Sequence, residues 1–528
     1  MKPYFNLVDE PWIPCLLPDH RTKEFGLLEA LSRAHEIREI FHPSPLVVTA
    51  LHRLLLAILH RNFGPETLAN WQVLWEQRRW HGATLKYYFN KWRERFYLFH
   101  PERPFYQVPK MTDAKEHPVE KVAEEAASLN NPTLFDHSFS ESPQPFSPAQ
   151  AARYVLACQS FALGGGVSRP FNFSHAPLVR GYTVLVLGDN LFETLALNLH
   201  IYNAHQPLPW RQPDDPPAWE QDALPEPEKR GTLPQGYLDY LTFQSRRLHL
   251  VTEDGSLVRR CQILQNLKLP DNFDRDLFMC HLRDPERGVR PLRLDPDRAV
   301  WRDCHTLFDK AKELHRKSGK APISTMRPEI FNWVARLRTI LSPPKDFCFS
   351  IAGLVSDRAK VLLWRQERLP LPLAYLDVKD LLDKLKDAIA VAEKTHEILR
   401  WGLSWVASLV LFPESGGQSL SPDRRKEVNR LFEAWAPGRL YWPRLEAPFR
   451  RLLVELPDDQ EDSGDGVIIY GNRKMPEWTQ TVYQAAFVTF REVAAGLERS
   501  VRSLKAVAQV EGPFRSRLHR ELLKGGES

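Results

Sequence analysis

The stretch LLDKLKDAIAVAEKTHEILRWGLSW, residues 381–405, decides the fold class of the C-terminal part of the chain. Its apolar residues recur at three- and four-residue spacing, as at Leu381, Leu385, Ile389 and Ala392. This period places side chains on one face of an α-helix. The stretch therefore predicts a long amphipathic helix with one buried face.

Further helical patterns follow this stretch. Apolar residues resume the same spacing after Pro422 and again after Pro437, then from Val482 and finally from Leu504. We count these patterns, together with the first, as four helices, because the segments after Pro422 and Pro437 continue one another. Four such helices predict an antiparallel bundle, a type of domain that often serves as a docking module.

The part of the chain before the bundle mixes helical and strand-like patterns. Residues 45–64 have helical spacing, YTVLVL at 182–187 indicates a buried strand, and residues 347–366 indicate two strands joined by a turn. A chain of 528 residues is too long for one core. The predicted fold class is α+β, with a mixed N-terminal domain over 1–374 and a C-terminal four-helix bundle over 375–528.

A glycine triplet, Gly164, Gly165 and Gly166, lies within the stretch FALGGGVSRPFNFSHAPLVRG at 161–181. Residues without Cβ atoms let the backbone approach another surface closely and adopt positive φ. Residues 142–188 contain no Asp or Glu, although 66 carboxylates in 528 residues predict about six. The segment therefore suits contact with a polyanion. The alternative is an ordinary glycine-rich connection.

Arginines also cluster in HLRDPERGVRPLRLDPDRAVW at 281–301, which includes Arg283 and Arg287 among turn-forming residues. An arginine on such a hairpin can enter a narrow minor groove, where the potential is most negative. The alternative is a surface hairpin with screened charges. The whole positive excess lies in residues 1–375, which hold 48 basic and 43 acidic side chains, whereas 376–528 hold 23 of each.

Composition and motifs exclude several classes of protein. The six cysteines form no CxxC pair, so neither a disulfide framework nor a zinc ribbon is predicted, and no metal or cofactor is expected. There is no P-loop and no HExxH motif, so no catalytic residue is predicted. The chain has no signal peptide and no run of 18 apolar residues. We therefore predict a cytoplasmic protein without a membrane partner.

Several motifs occur in one order along nearly the whole chain: NLVDEPWIP near the start, FYLFHPERPFYQ at 96–107, the glycine triplet, RPLRLDPDRAVW at 290–301, GLVSDRAKVLLWR at 353–365 and the C-terminal bundle. In this order and spacing the chain resembles the CasA family, the large subunits of the type I-E CRISPR surveillance complex called Cascade. The resemblance implies a non-catalytic subunit that reads the protospacer-adjacent motif (PAM) on double-stranded target DNA. It also implies that this subunit starts duplex opening for R-loop formation and helps recruit the helicase-nuclease.

The resemblance implies three contacts with the PAM duplex from its minor-groove side. These are the glycine triplet, a basic finger for which Arg283 is the best match, and a wedge at the turn around Asp357. Relatives can carry Lys at the finger and Gln in the wedge, where this chain has Arg358. The implied DNA-binding residues are Gly164, Gly165, Gly166, Arg169, Arg283, Arg287, Asp357, Arg358 and Ala359.

The resemblance also implies an RNA contact and protein partners. The loop at 130–146 corresponds to the segment near the 5′ end of the CRISPR RNA, with Asn130, Asn131 and Phe135 as the matching residues. The backbone and small subunits of Cascade are the implied protein partners. Two alternatives stay open at this point: a metal-dependent nuclease, and a pure assembly scaffold that never touches DNA.

Overall fold

The computed structural model describes most of the chain as two compact units. One contains Met1–Val300 and Asp309–Leu369, and the other contains Trp301–Phe308 and Pro370–Ser528. The described residues are 2–112, 114–123, 144–202, 215–223, 225–252, 257–273, 276–310, 312–314, 323–341, 347–357, 360–415, 420–463, 468–497 and 500–522.

The first unit mixes helices and strands. Up to the turn before residue 300 its elements are β1 (Tyr4–Asn6), β2 (Ile13–Leu16), β3 (Thr22–Phe25), α1 (Leu27–Ser32), β4 (Glu39–Ile40), α2 (Pro45–Phe63), α3 (Leu68–Gln77), α4 (Gly82–Lys91), β5 (Tyr97–Phe99), β6 (Glu116–Pro118), α5 (Pro148–Phe161), β7 (Thr183–Leu187), α6 (Leu191–Leu197), α7 (Tyr237–Leu241), β8 (Arg246–Thr252), β9 (Val258–Gln265), β10 (His281–Asp284) and β11 (Gly288–Pro291).

The next helix, α8, belongs to the second unit, and the chain then returns to the first unit. In order, the remaining elements are α8 (Cys304–Phe308), β12 (Lys312–Leu314), β13 (Ile323–Met326), α9 (Glu329–Leu337), β14 (Phe347–Asp357), β15 (Lys360–Leu371), α10 (Lys379–Leu411), α11 (Pro422–Trp435), α12 (Pro437–Glu455), β16 (Gln460–Asp462), β17 (Ile468–Tyr470), α13 (Lys474–Ala495) and α14 (Val501–Leu522). The predicted α+β class is confirmed.

The sheets of the described residues are small. Their strand orders are β15-β14-β7, β11-β10-β13-β12, β6-β9-β8, β3-β2-β4, β1-β5 and β16-β17. The strand predicted at 182–187 is β7, which pairs antiparallel with β14 so that Thr183 lies opposite Ala352 and Leu187 opposite Cys348. Beyond Ala352, β14 continues to Asp357 without β7 beside it. The hairpin of β14 and β15 therefore extends past the N-terminal end of β7.

Two capped helices form the core of the first unit. The hydroxyl of Ser44 accepts a hydrogen bond from the amide of Val47 at the start of α2, and Ser147 and Gln150 form a capping box at the start of α5. Helix α2 is long and apolar enough to cross a membrane by length and composition, but 72% of its most apolar window is buried inside the protein. It is the central core helix on which α5 packs.

The helices of the second unit surround α10. Helices α13 and α14 pack along it, and α12 packs on α13. Phe514 of α14 stacks on Phe490 of α13, with ring centroids 4.5 Å apart. A Cβ atom on Gly402 of α10 would lie 2.8 Å from the Phe514 ring, so the glycine permits this close approach. The predicted second helix is divided into α11 and α12 at Ala436, whose φ is 45°.

The segment Trp301–Phe308 packs inside the helical unit. The Trp301 ring lies 4.6 Å from that of Phe449, centroid to centroid. The Arg302 guanidinium lies 3.5 Å above the Trp442 ring and donates two 2.9 Å hydrogen bonds to Glu393. The domain boundary predicted after residue 374 stays a prediction, and no local pattern indicated that this earlier segment joins the helices.

A pair of histidines is buried in the first unit. The rings of His60 and His200 lie 4.5 Å apart and are 3% and 5% exposed. Burial lowers the pKa of His200 to about 4, and burial followed by the charge of His200 holds the pKa of His60 well below its ordinary value. An unfolded histidine has a pKa of about 6.5. The unfolded state therefore binds more protons between about pH 6.5 and 4, and stability falls as the pH drops through this window.

We predict that His60→Phe reduces this acid sensitivity. Neither ring nitrogen of His60 has a hydrogen-bond partner among the described residues, and the ring packs against Tyr202 and Tyr237, so phenylalanine fits the site chemically. Urea midpoints at pH 7.5 and pH 5 should differ less in the variant than in the wild type. The exposed control His20→Asn should leave the difference unchanged. An unaltered difference in His60→Phe would show that the pair does not govern acid stability.

Candidate nucleic-acid interface

The three elements predicted to contact DNA meet at the N-terminal end of β7. The chain enters β7 directly from the glycine-rich stretch at 161–181. The amide of Tyr182 donates to the carbonyl of Leu292, which follows β11, over 3.3 Å. On the other side, Thr183 lies opposite Ala352 of β14. The glycine-rich stretch, the arginine hairpin and the β14–β15 hairpin therefore converge on one strand end.

Two glycines permit this convergence. A Cβ atom on Gly181 would lie 2.7 Å from the Cβ of Pro291 in β11. A Cβ atom on Gly353 of β14 would lie 3.0 Å from the Cβ of Tyr182 and 3.2 Å from Leu294. A larger residue at either position would push apart the glycine-rich stretch, the arginine hairpin and the β14–β15 hairpin.

Residues 162–176, hereafter the glycine loop, form a tight hairpin. The amide of Gly165 donates to the carbonyl of Phe173 over 2.8 Å, and the amide of Phe173 donates to the carbonyl of Gly166 over 3.3 Å. At the base, the amide of Ala176 donates to the carbonyl of Ala162 over 2.9 Å. The loop is therefore a hydrogen-bonded structure rather than a slack connection.

The three glycines of the triplet have different surroundings. Gly164 is buried, its amide donates to Nδ1 of His175 over 2.9 Å, and a Cβ atom there would lie 2.7 Å from the His175 amide nitrogen. Gly165 and Gly166 are exposed and have φ of 108° and 85°. A Cβ atom on Gly166 would meet nothing within 4 Å. Gly164 thus serves the loop itself, and Gly165 and Gly166 present backbone to solvent.

The arginines of the carboxylate-free segment also divide into two kinds. Arg153 is buried and donates to the carbonyl of Trp12 over 2.9 Å. Arg180 donates to the carbonyl of Pro270 over 2.9 Å, and burial lowers its pKa. Arg169 is exposed near the loop tip, beside Val167, which is 89% exposed. Of the three arginines, Arg169 is the one that is exposed.

The arginine hairpin predicted at 281–301 is confirmed. Strands β10 and β11 are joined by a three-residue connection in which the amide of Arg287 donates to the carbonyl of Asp284 over 3.2 Å. Gly288 follows with φ of 74°. A turn followed by a left-handed glycine is a common three-residue hairpin connection.

The hairpin and the residues that follow it carry several exposed arginines. These are Arg283, Arg287, Arg290 and Arg293. Burial, and then the charges of Arg293, Arg246 and Arg180, lower the pKa of His175 in the glycine loop. Of these four arginines, Arg293 is the one whose charge contributes to the lowered pKa of His175.

Some predicted contacts lie outside the described residues. These are Arg358 and Ala359 of the wedge, and Asn130, Asn131 and Phe135 of the RNA-proximal loop. Asp357 is the last residue of β14, and its backbone position alone is described. The roles of all these residues stay predictions.

Sequence reasoning missed two buried residues beside the glycine loop, Arg246 and Gln265. Arg246 is 1% exposed and Gln265 is 0% exposed. The only signal for Arg246 in the sequence was the pair of arginines, Arg246 and Arg247, at the start of the strand RRLHLVT. That signal does not distinguish a buried arginine from an exposed one.

Asp276 and Asp295 stand at the start of turns in the structure. Asp276 accepts from the amide of Phe278 over 2.8 Å, and Asp295 accepts from that of Asp297 over 2.9 Å. Within the part of the chain that the structure describes, no group of three or more His, Cys, Asp or Glu side chains is arranged to hold a metal ion.

A family model described as CRISPR-associated protein Cse1 matches residues 6–489 of this chain. The chain belongs to the Cse1 family. A CasA/Cse1 protein of Thermus thermophilus is 33% identical over 520 residues, which cover 97% of this chain and 96% of that protein. The family resemblance found in the sequence is therefore confirmed.

Two solved structures superpose on this chain over nearly its whole length. The crystal structure of Thermus thermophilus CasA superposes with a TM-score of 0.78 at 29% identity, covering 99% of this chain and 100% of that one. A chain from a structure described as a CRISPR RNA-guided surveillance complex superposes with a TM-score of 0.73 at 22% identity, covering 98% and 99%.

We predict that Gly166→Asp weakens binding of target duplex at least tenfold, about 1.4 kcal/mol. The substitution places a carboxylate at the exposed tip, where an approaching phosphate backbone would repel it. Gly166→Asn is the matched control, because asparagine has the same shape without the charge and tolerates positive φ. Gel shifts with the assembled complex provide the measurement. Equal binding by the two variants would exclude a close anionic partner at the tip.

Proposed function

We propose that this chain is the large subunit of a type I-E CRISPR RNA-guided surveillance complex that reads the PAM of double-stranded target DNA. The observation that carries the proposal is the convergence of three elements at the N-terminal end of β7. The stretch that carries the exposed Gly165 and Gly166 enters β7 at Gly181 and Tyr182, which contact Pro291 and Leu292 at the end of the hairpin that carries Arg283 and Arg287. The β14–β15 hairpin, at whose turn we place the wedge, adjoins both through Ala352 and Gly353 in the middle of β14.

The chemistry of the minor groove suits these elements. The groove presents few hydrogen-bonding differences between base pairs, so a reader there distinguishes short motifs and tolerates several. Backbone without Cβ atoms fits close to the groove floor, and arginine is attracted to its negative potential. The proposed contacts are therefore Gly165, Gly166, Arg169, Arg283 and Arg287, with Gly164 shaping the loop.

Strand separation is assigned to the turn at 357–359. A side chain inserted between base steps unstacks the duplex at a cost of a few kcal/mol. Pairing with the guide then replaces one duplex by another of similar stability, so a local trigger at the first base pair is sufficient. The longer reach of β14 supports this assignment, because the strand continues from Ala352 to Asp357 beyond the end of β7.

The remaining partners follow from membership of the complex. We assign the loop at 130–146 to the 5′ end of the CRISPR RNA, and the helical bundle to contacts with backbone and small subunits. The helicase-nuclease is the partner recruited after target binding, and the complex acts in the cytoplasm. In this scheme the chain itself is not catalytic.

A selection experiment tests PAM reading. The complex is assembled with a guide RNA and mixed with target duplexes that carry randomised base pairs beside the protospacer. We expect enrichment of a short motif at those positions, and weaker binding as salt rises, because phosphate contacts release counterions. Recovery without any preferred motif would contradict PAM reading, and a complex that binds no duplex would favour the assembly scaffold.

A second prediction concerns the wedge. Arg358→Ala should slow strand opening, measured by permanganate reactivity of unpaired thymines, more than it weakens initial duplex binding. The matched control is Arg287→Ala, which removes a proposed groove contact and should weaken initial binding instead. Equal loss of binding and opening in Arg358→Ala would contradict a wedge.

The nuclease alternative has its own measurement. We expect the purified chain to leave plasmid and linear DNA intact in the presence of Mg²⁺ or Mn²⁺. Cleavage that survives further purification would overturn the non-catalytic assignment.

A further inference from the structure

A buried guanidinium ties the two sides of the glycine loop together. Nη2 of Arg246 donates to the carbonyls of Ala162 and Leu163, over 3.2 and 2.9 Å, on the side that precedes the glycine triplet. The same nitrogen donates to the carbonyl of Ser174 over 2.7 Å, on the returning side. The guanidinium carbon also lies 5.1 Å from the centre of the Phe173 ring.

Gln265 supports this arrangement from the neighbouring strand β9. Its Oε1 accepts from the amide of Ser174 over 2.7 Å and from Nη1 of Arg246 over 3.3 Å. Its backbone amide donates to the hydroxyl of Ser168, near the loop tip, over 2.8 Å. The end of β9 thus holds the loop at a second place.

We infer that Arg246 is a positioning residue for duplex recognition, and that it sets the conformation in which Gly165 and Gly166 face the DNA. This inference rests on the proposed function of the glycine loop. The planar fork of arginine directs several donors in fixed directions, whereas a lysine ammonium is a compact point charge. Lysine at this position would keep the charge, but its single nitrogen cannot keep the Nη2 bonds to the loop carbonyls together with the Nη1 bonds to Ser245 and Gln265.

The burial of Arg246 distinguishes positioning from direct contact. Because the side chain is 1% exposed, the guanidinium does not reach a phosphate on the protein surface. Loss of a direct phosphate contact would lower the slope of affinity against salt concentration by about one. Loss of loop positioning would instead reduce the preference for the PAM and leave that slope unchanged.

The test uses complexes assembled with Arg246→Lys and with Arg247→Lys as the matched control. Arg247 is the next residue of β8 and is exposed. Affinity is measured at several salt concentrations for two duplexes, one with the motif enriched in the selection and one without it. Hydrogen exchange of the amides in 162–176 is followed in parallel.

We expect Arg246→Lys to bind the motif-bearing duplex at least tenfold more weakly, with a smaller preference over the motif-free duplex and an unchanged salt slope. Exchange of the loop amides should become faster, and Arg247→Lys should behave like the wild type in every measurement. A purely structural role would lower thermal stability and leave the preference for the motif intact, which would overturn the inference. A salt slope reduced by about one would overturn it as well.

A milder variant covers the case in which Arg246→Lys does not assemble. Ser168→Ala removes the hydroxyl held by Gln265 without disturbing the buried charge, and should reduce the motif preference in the same direction by a smaller factor. Suppose that Ser168→Ala and any assembled Arg246→Lys keep the normal motif preference while Gly166→Asp binds weakly. That result would overturn the inference about Arg246 and leave the proposed function of the loop in place. Normal binding by Gly166→Asp would instead count against the proposed function of the loop.

Discussion

The pairing of β7 with β14 is the interaction on which the candidate interface depends. Phe349 lies opposite Val186 and Ile351 opposite Val184, and all four side chains are at most 1% exposed. Burial of each such side chain stabilises the fold by about 1.5–3 kcal/mol. A slip of one residue would turn these side chains to the other face of the sheet. The buried pairs therefore fix where β14 leaves the sheet and where the glycine-rich stretch ends.

Hydrogen bonds, rather than apolar contacts, define the conformation of the glycine loop. The glycine loop has no hydrophobic core of its own, and its shape comes from hydrogen bonds of its backbone to itself, to Arg246 and to Gln265. Such bonds are directional, so they select one loop conformation where apolar contacts would accept several. Removing a donor from buried carbonyls is costly because they then lack a partner. Gly165 and Gly166 are consequently held in one backbone conformation although they have no side chains to pack.

Local patterns predicted the elements of this protein well, and they predicted less about contacts between distant segments. The helical period from Leu381 onward and the strand at 182–187 depend on neighbouring residues, and both are present. The difference between Gly164 and Gly166 depends on His175 across the loop, and the role of Arg246 depends on carbonyls more than 70 residues away. Pro437 indicated a break in the helical pattern, but the left-handed backbone of Ala436 that divides α11 from α12 is not indicated by an alanine.

The membership of Trp301–Phe308 in the helical unit affects how the protein can be dissected. The chain passes between the units three times, after Val300, after Phe308 and after Leu369, so no single cut separates them. A fragment ending at residue 369 would expose Trp301 and Phe308, each 1% exposed in the whole chain, and the complementary fragment would lack both. Each unit is thus built from two separate segments of the sequence. A single recombination point near residue 369 would therefore exchange the helices between relatives without the segment Trp301–Phe308 that packs among them.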